Sequence, residues 1–284
     1  MAIFELALAT GILVAVLAFF GEFIDSTLGM GYGTTLTPVL MIFGFEPLQI
    51  IPTILLSELI TGLLAGFTHH SMGNVNFRPK TMNIFRIFKA LKRHGIKESW
   101  KKGIPLPLKV AIVLAACSII GTVAAVLIAI NIPSFYLKLY IGVLVLTIGI
   151  VILATMHQQY GFSWRKITGL GLIAAFNKGM SGGGYGPVVT GGQLLSGVDG
   201  KNAIGITSLA EGLTCIVGVI VFVITGSAAD WILAPYLIIG AVASVPISAY
   251  CVKKMRTDKL KIIIGIATVA LGLFTLGKIL WPLL

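Results

Sequence analysis

Charge is scarce in this sequence. Of 284 residues only 11% are Asp, Glu, Lys or Arg, and ten are acidic, whereas soluble domains carry about 25% charged residues. With 57% hydrophobic residues and a mean hydropathy of +1.00, the chain is too apolar for a water-soluble domain. Cysteine is almost missing as well. Cys117, Cys215 and Cys251 fall inside apolar segments at no metal-ligand or CxxC spacing, which excludes a disulfide framework and a redox motif and leaves small buried hydrophobes. The four histidines come with no nucleophile–base pattern or metal cluster, which argues against an intramembrane enzyme. His69 and His70 are adjacent rather than at the i, i+4 spacing of a helical metal pair and read as interfacial histidines. Neither GMGYG nor GGGYG completes G-x-G-x-x-G or a Walker sequence, so no nucleotide and no other cofactor is expected. The opening MAIFE lacks a basic n-region and no A-x-A site precedes Asp25, so the first apolar segment is expected to remain as a transmembrane helix.

What the chain has in abundance is apolar runs of membrane-spanning length, about 17–25 residues. The expected segments are 2–24, a short Gly-rich one at 26–44, 47–67, 108–130, 134–155, 162–176, a second short Gly-rich one at 179–196, 200–224, 231–252 and 259–281. The order long, short Gly-rich, long, long, long occurs twice. An offset of 153 places Gly31-Tyr32-Gly33 on Gly184-Tyr185-Gly186, Gly44 on Gly197, Glu46 on Asp199, Gln49 on Asn202, Glu58 on Glu211 and Thr61 on Thr214. So many matches in one register indicate an internal repeat. The expected fold is therefore an all-α polytopic membrane protein built from repeats 1–156 and 157–284, with a broken Gly-rich helix in each.

Positive charge orients it. The loop 68–107 holds nine Lys/Arg (Arg78, Lys80, Arg86, Lys89, Lys92, Arg93, Lys97, Lys101, Lys102) against Glu98 alone, and so belongs in the cytoplasm. Lys253, Lys254, Arg256, Lys259 and Lys261 mark a second cytoplasmic loop and Arg165 with Lys166 a third, while the turns near Pro133 and 225–230 have no Lys or Arg. Between Lys166 and Asp230 the chain must cross an odd number of times, so either all three intervening segments cross or one folds back. The halves are expected to be inverted-topology repeats of four to five membrane segments, with both termini outside. Met82, Phe85, Phe88 and Leu91 at three-residue spacing among basic residues read as an amphipathic helix on the anionic inner leaflet. Positive-inside charge accounts for much of the net +11, and no nucleic-acid partner is expected.

The stretch NKGMSGGGYGPVVTGG sits inside one of these apolar runs. Glycines and Pro187 break a helix, and backbone groups left unpaired in hydrocarbon cost several kcal/mol each unless protein or a wet cavity receives them. Such breaks in transporters present half-helix N-termini to a substrate. Asn177, Lys178, Ser181, Gly182, Gly183, Gly184, Tyr185 and Gly186 form one candidate substrate-binding element, and Gly29, Gly31, Tyr32, Gly33 and Thr34 its counterpart from the other half. The site would prefer an anion. Lysine at membrane depth costs at least ~2.5–3.5 kcal/mol, so Lys178 is expected to face Asp25, its repeat equivalent, or an anionic substrate. Glu58 and Glu211, symmetrically placed mid-segment, and Asp25 are candidates for taking and releasing protons. The alternative is that the two glutamates only brace the broken backbone. Gly62 and Gly66 read as close helix packing.

The doubled Gly-rich element, followed in each half by an acidic helix (PTILLSELITG and GITSLAEGLT), resembles the TauE/SafE family of sulfite exporters, also called the TSUP permeases. The resemblance covers nearly the whole chain. It implies secondary transport of sulfite or an organosulfonate such as sulfoacetate across the cell (inner) membrane, driven by protons, with neither direction nor substrate fixed. A passive anion channel is the alternative, since inverted repeats and Gly-rich constrictions serve both. A homo-oligomer is compatible with the sequence.

Overall fold

The structure, a computed structural model, describes residues 8–79, 103–155, 161–226, 231–254 and 258–281; the amphipathic stretch 82–91 lies outside them. Among the described residues there are ten α-helices and no strand: α1 (Leu8–Leu28), α2 (Tyr32–Ile42), α3 (Pro47–Ser71), α4 (Leu106–Ala129), α5 (Ser134–Thr155), α6 (Trp164–Ser181), α7 (Tyr185–Leu195), α8 (Gly200–Ile224), α9 (Ala234–Lys254, after a 3-10 turn at Trp231–Leu233) and α10 (Asp258–Leu280). Six spans, Leu8–Leu28, Pro47–Ser71, Leu106–Ala129, Ser134–Val151, Gly200–Ile224 and Trp231–Lys254, are long and apolar enough to cross a membrane. Charged residues are buried while large apolar ones lie on the surface: Glu22, Glu58 and Lys178 are buried, and Ile120 is 71% and Phe274 60% exposed. That distribution suits hydrocarbon rather than water. The chain is a multi-pass membrane protein.

Two expected boundaries are corrected. The segments expected to end at residues 24 and 176 continue to Leu28 and Ser181, so Asp25, Asn177 and Lys178, expected between segments, belong to the last turns of long helices. A single glycine such as Gly179 costs a helix only about 1 kcal/mol and does not end it. The helices end where glycines take positive φ, at Gly29 (φ 69) and Gly31 (φ 136), and at Gly182 (φ 71) and Gly184 (φ 75). Side chains rarely adopt that backbone.

After each break the chain folds back. Along α2, Tyr32 and Leu36 face Gly21 of α1, and Gly31 faces Ile24. Along α7, Gly184 faces Asn177 and Gly192 faces Leu170 of α6. Each pair is a helical hairpin rather than two half-helices in line. The remaining helices pack around them: α3 crosses α8 where a Cβ at Gly62 would lie 2.8 Å from Gly212 N, and a Cβ at Gly66 2.9 Å from Leu209. Close packing at both glycines is as expected from the sequence, and it brings the carboxylates of these two helices together.

Candidate functional site

The two hairpins meet tip to tip. A Cβ on Gly186 would fall 2.5 Å from Gly29 O and 2.8 Å from Met30 Cα; one on Gly33 would strike the Gly182 carbonyl, and one on Gly183 the Gly33 and Thr34 backbone. Hydrogen bonds cross the junction in matched fashion. Thr37 Oγ1 donates to Ser181 O (2.8 Å), and Thr190 Oγ1 donates to Gly29 O (2.6 Å). Each supplies a donor to a carbonyl that a helix end leaves over. Gly184 N donates to Thr34 Oγ1 (3.0 Å), and Gly183 N to Ser181 Oγ (3.1 Å). The glycines of both tips thus serve the close approach of two backbones. Replacing Thr37 or Thr190 by Val leaves a buried carbonyl without its donor, and each is expected to lose about 1–3 kcal/mol. Unchanged melting in detergent for both variants would contradict the crossing bonds.

Lys178 lies beside this junction. Its side chain is 0% exposed, and its ammonium bonds Glu58 Oε2 of α3 and, at 2.7 Å, Glu211 Oε1 of α8. The expected pairing of Lys178 with Asp25 is therefore corrected. Asp25 instead accepts the Tyr32 N–H at the start of α2 (Oδ1, 3.3 Å), an arrangement that places a carboxylate on a helix N-terminus. Repeat equivalence does not require contact, and the α3–α8 crossing offers Lys178 two carboxylates instead. Glu58 Oε1 has no hydrogen-bond partner among the described residues. Around the core, Asn177 Oδ1 accepts from Tyr140 (2.8 Å), Ser181 Oγ donates to Asn177 O (2.7 Å), and Tyr32 shares a 2.8 Å hydrogen bond with Ser57. Tyr185 is fully buried near Val189 and Ile206. The expected residues thus lie at the two tips and at the ion pairs, with Asn177 bonded to Tyr140 of α5.

Two buried residues were not anticipated in these places. Glu22, 2% exposed, accepts from Ser26 Oγ (2.5 Å) and Thr61 Oγ1 (3.0 Å), and its electrostatic neighbours include Glu211 and Lys178. The i, i+4 pair Glu22/Ser26 on an apolar helix was the available signal. His69 is not interfacial. It is fully buried; its Nε2–H donates to Ser26 O (2.9 Å), and its Nδ1 accepts from Asn74 (3.0 Å), which also donates to Ala249 O. The imidazole therefore satisfies a carbonyl in the last turn of α1 and ties the first hairpin to α3 and α9.

The ammonium of Lys178 bonds two carboxylates, and two further buried carboxyl groups, Glu22 and Asp25, stand on α1 among its electrostatic neighbours. A family model described as sulfite exporter TauE/SafE matches residues 13–88 and 94–275. The chain belongs to the sulfite exporter TauE/SafE family. A relative of the same family, the probable membrane transporter protein YtnM of Bacillus subtilis (strain 168), is 24% identical over 267 residues, covering 89% of this chain and 78% of that protein. No solved structure gives a significant match. Membership of TauE/SafE makes the chain a membrane transporter and points away from an enzyme.

Proposed function

We propose that this transporter carries a small sulfur-containing anion, sulfite or an organosulfonate, by alternating access coupled to protons. The observation that carries the reading is the ammonium of Lys178, buried beside the junction of two hairpins and held by two carboxylates. A charge so placed is costly unless used or compensated. A proton arriving on Glu58 or Glu211 cancels one of the two countercharges and releases the ammonium to an incoming oxyanion. The anion and its proton then add no net charge to the buried site, and the free Glu58 Oε1 offers a lone pair for that proton. Asp25 and Glu22 complete the carboxyl set. When the tips part, the N–H groups of Gly29–Gly33 and Gly182–Gly186, with Thr34, Asn177 and Ser181, line the space opened beside Lys178.

In this reading residues 1–156 and 157–284 are inverted repeats. The hairpin α1–α2 enters from the outer face, because α3 leads from it to the basic segment beginning at Arg78; α6–α7 enters from the cytoplasm, where α6 starts at Arg165 and Lys166. Each hairpin returns to its own side, and three crossings follow it, which satisfies the odd count that the charges demand. The bonds from Thr37 and Thr190, residues 153 apart, support a two-fold relation at the tips. Hairpins that meet from opposite faces provide two gates around one site.

Exchange in proteoliposomes preloaded with sulfite, against sulfite, thiosulfate, sulfate, sulfoacetate, taurine and a carboxylate control, tests the substrate. Saturable exchange selective for sulfur oxyanions is expected; exchange of carboxylates alone removes the sulfur assignment, and unsaturating conductance makes the protein a channel. Glu58→Gln and Glu211→Gln are expected to lower accumulation driven by a pH gradient about a hundredfold or more while sparing exchange, the scale on which a group that takes and gives up a proton contributes. Equal pH dependence in wild type and both variants would reject the coupling.

A further inference from the structure

A second constellation lies away from the hairpin tips. A cavity of about 540 Å³ is bounded by the end of α2, the start of α5 and the end of α10. Its wall carries Lys138 and Lys278 against a single carboxylate, Glu46. In the proposed orientation all three lie at the outer face, where lysine is not favoured by the positive-inside rule. Ser134 and Phe135, also in the wall, are the first residues of α5 and bring the positive end of its dipole to the cavity.

The cavity already binds an oxyanion of the protein's own. Glu46 takes Ser134 Oγ on Oε2 (2.6 Å) and Lys138 Nζ on Oε1 (2.7 Å). Lys278 Nζ donates to Ile42 O at the end of α2 (2.5 Å). These contacts from Lys138 and Ser134 hold the Glu46 carboxyl below its usual range, so it stays ionised. The Glu46 side chain is 52% exposed, so its contacts are within reach of an anion from solvent. Met41, Ile42 and Ile279 form an apolar wall beside the cations.

We propose that this cavity is an outer docking site for a small organic oxyanion, a sulfonate with a short carbon chain, which takes over Ser134 and Lys138 from Glu46 and Lys278 from the Ile42 carbonyl. The site rests on the transporter reading only for its orientation and for the identity of the anion. Glu46 also caps α3, with its side chain on the Gln49 N–H and the Gln49 side chain on its own N–H. Displacing it acts at the joint between the first hairpin and the helix that carries Glu58.

The test places Cys at the half-exposed Phe135 in the full chain, reconstituted in phosphatidylcholine vesicles, and reads its modification from outside. Sulfonatoethyl and trimethylammonioethyl methanethiosulfonates report the local field, and sulfoacetate is the probe for occupancy. The anionic-to-cationic rate ratio is expected to fall about tenfold on Lys138→Gln/Lys278→Gln, the scale of focused surface charge. Sulfoacetate is expected to protect the cysteine in the Phe135→Cys protein and, at lower concentration, with Glu46→Gln added. An unchanged ratio, or no protection, overturns the site. Protection by added phosphatidylglycerol but not by sulfoacetate would assign the cavity to a lipid phosphate and overturn it equally. Because modification needs no turnover, protection without transport of any anion would fell the transporter mechanism and leave this site, and transport without protection the reverse.

Discussion

Lys178→Ala is expected to abolish transport and to destabilise the protein by about 3–5 kcal/mol, because removing one member of a buried ion pair strands its partners. Here the stranded partners are two carboxylates, Glu58 and Glu211, 3% and 5% exposed. The loss of folding and the loss of function are separable. Lys178→Met combined with Glu58→Gln and Glu211→Gln removes every charge of the triad while keeping its volume, and such replacements of buried ion pairs are often neutral or stabilising. The triple variant is expected to melt near the wild-type temperature in detergent and still to transport nothing. Transport by Lys178→Ala at the wild-type rate would remove the lysine from the site.

The second large effect is expected at the hairpin tips. Gly186→Ala puts a methyl group against Gly29 O and Met30 Cα, and Gly33→Ala puts one against Gly182 and Gly183, all backbone atoms of the opposite hairpin. No flexible side chain is available to yield, so each substitution is expected at or above the upper part of the usual ~1–3 kcal/mol for overpacking, and to hold the tips apart. Gly191→Ala is the control. It lies in α7 with nothing within 4 Å of the added Cβ, and is expected to be neutral or stabilising by up to about 1 kcal/mol from helix propensity. Equal melting and uptake for all three variants would show that the tips do not pack as described.

Much of this arrangement was legible before the fold. The 153-residue offset marks Gly33 with Gly186 and Glu58 with Glu211, and both pairs lie at or beside the junction. The Gly-rich stretches mark the helix ends because glycine readily takes the positive φ found at residues 29, 31, 182 and 184, which other residues rarely adopt. What a break does not encode is the direction in which the chain leaves it. The fold-back of α2 on α1 depends on Tyr32 and Leu36 packing at Gly21, a tertiary contact with no local signature. The partner of Lys178 escaped for a similar reason. Asp25 is its equivalent under the repeat, yet a two-fold relation brings equivalents together only near its axis, and the crossing of α3 with α8 decides the pairing. Glu22 lacks an acidic counterpart at Ala175, so symmetry was silent about it. His69 looked interfacial because the basic loop follows closely; its burial comes from Asn74 and the end of α1 closing over it.

In the proposed mechanism an oxyanion takes the ammonium of Lys178 while a proton takes a carboxylate. Calorimetric titration of sulfite into the purified protein, in two buffers of different ionisation enthalpy, measures both halves together. Saturable binding with net proton uptake by the wild type, and no binding by the Lys178→Met/Glu58→Gln/Glu211→Gln variant, is the expected result. Binding of sulfite by the triple variant with wild-type affinity, or binding by the wild type without any buffer-dependent heat, would contradict it.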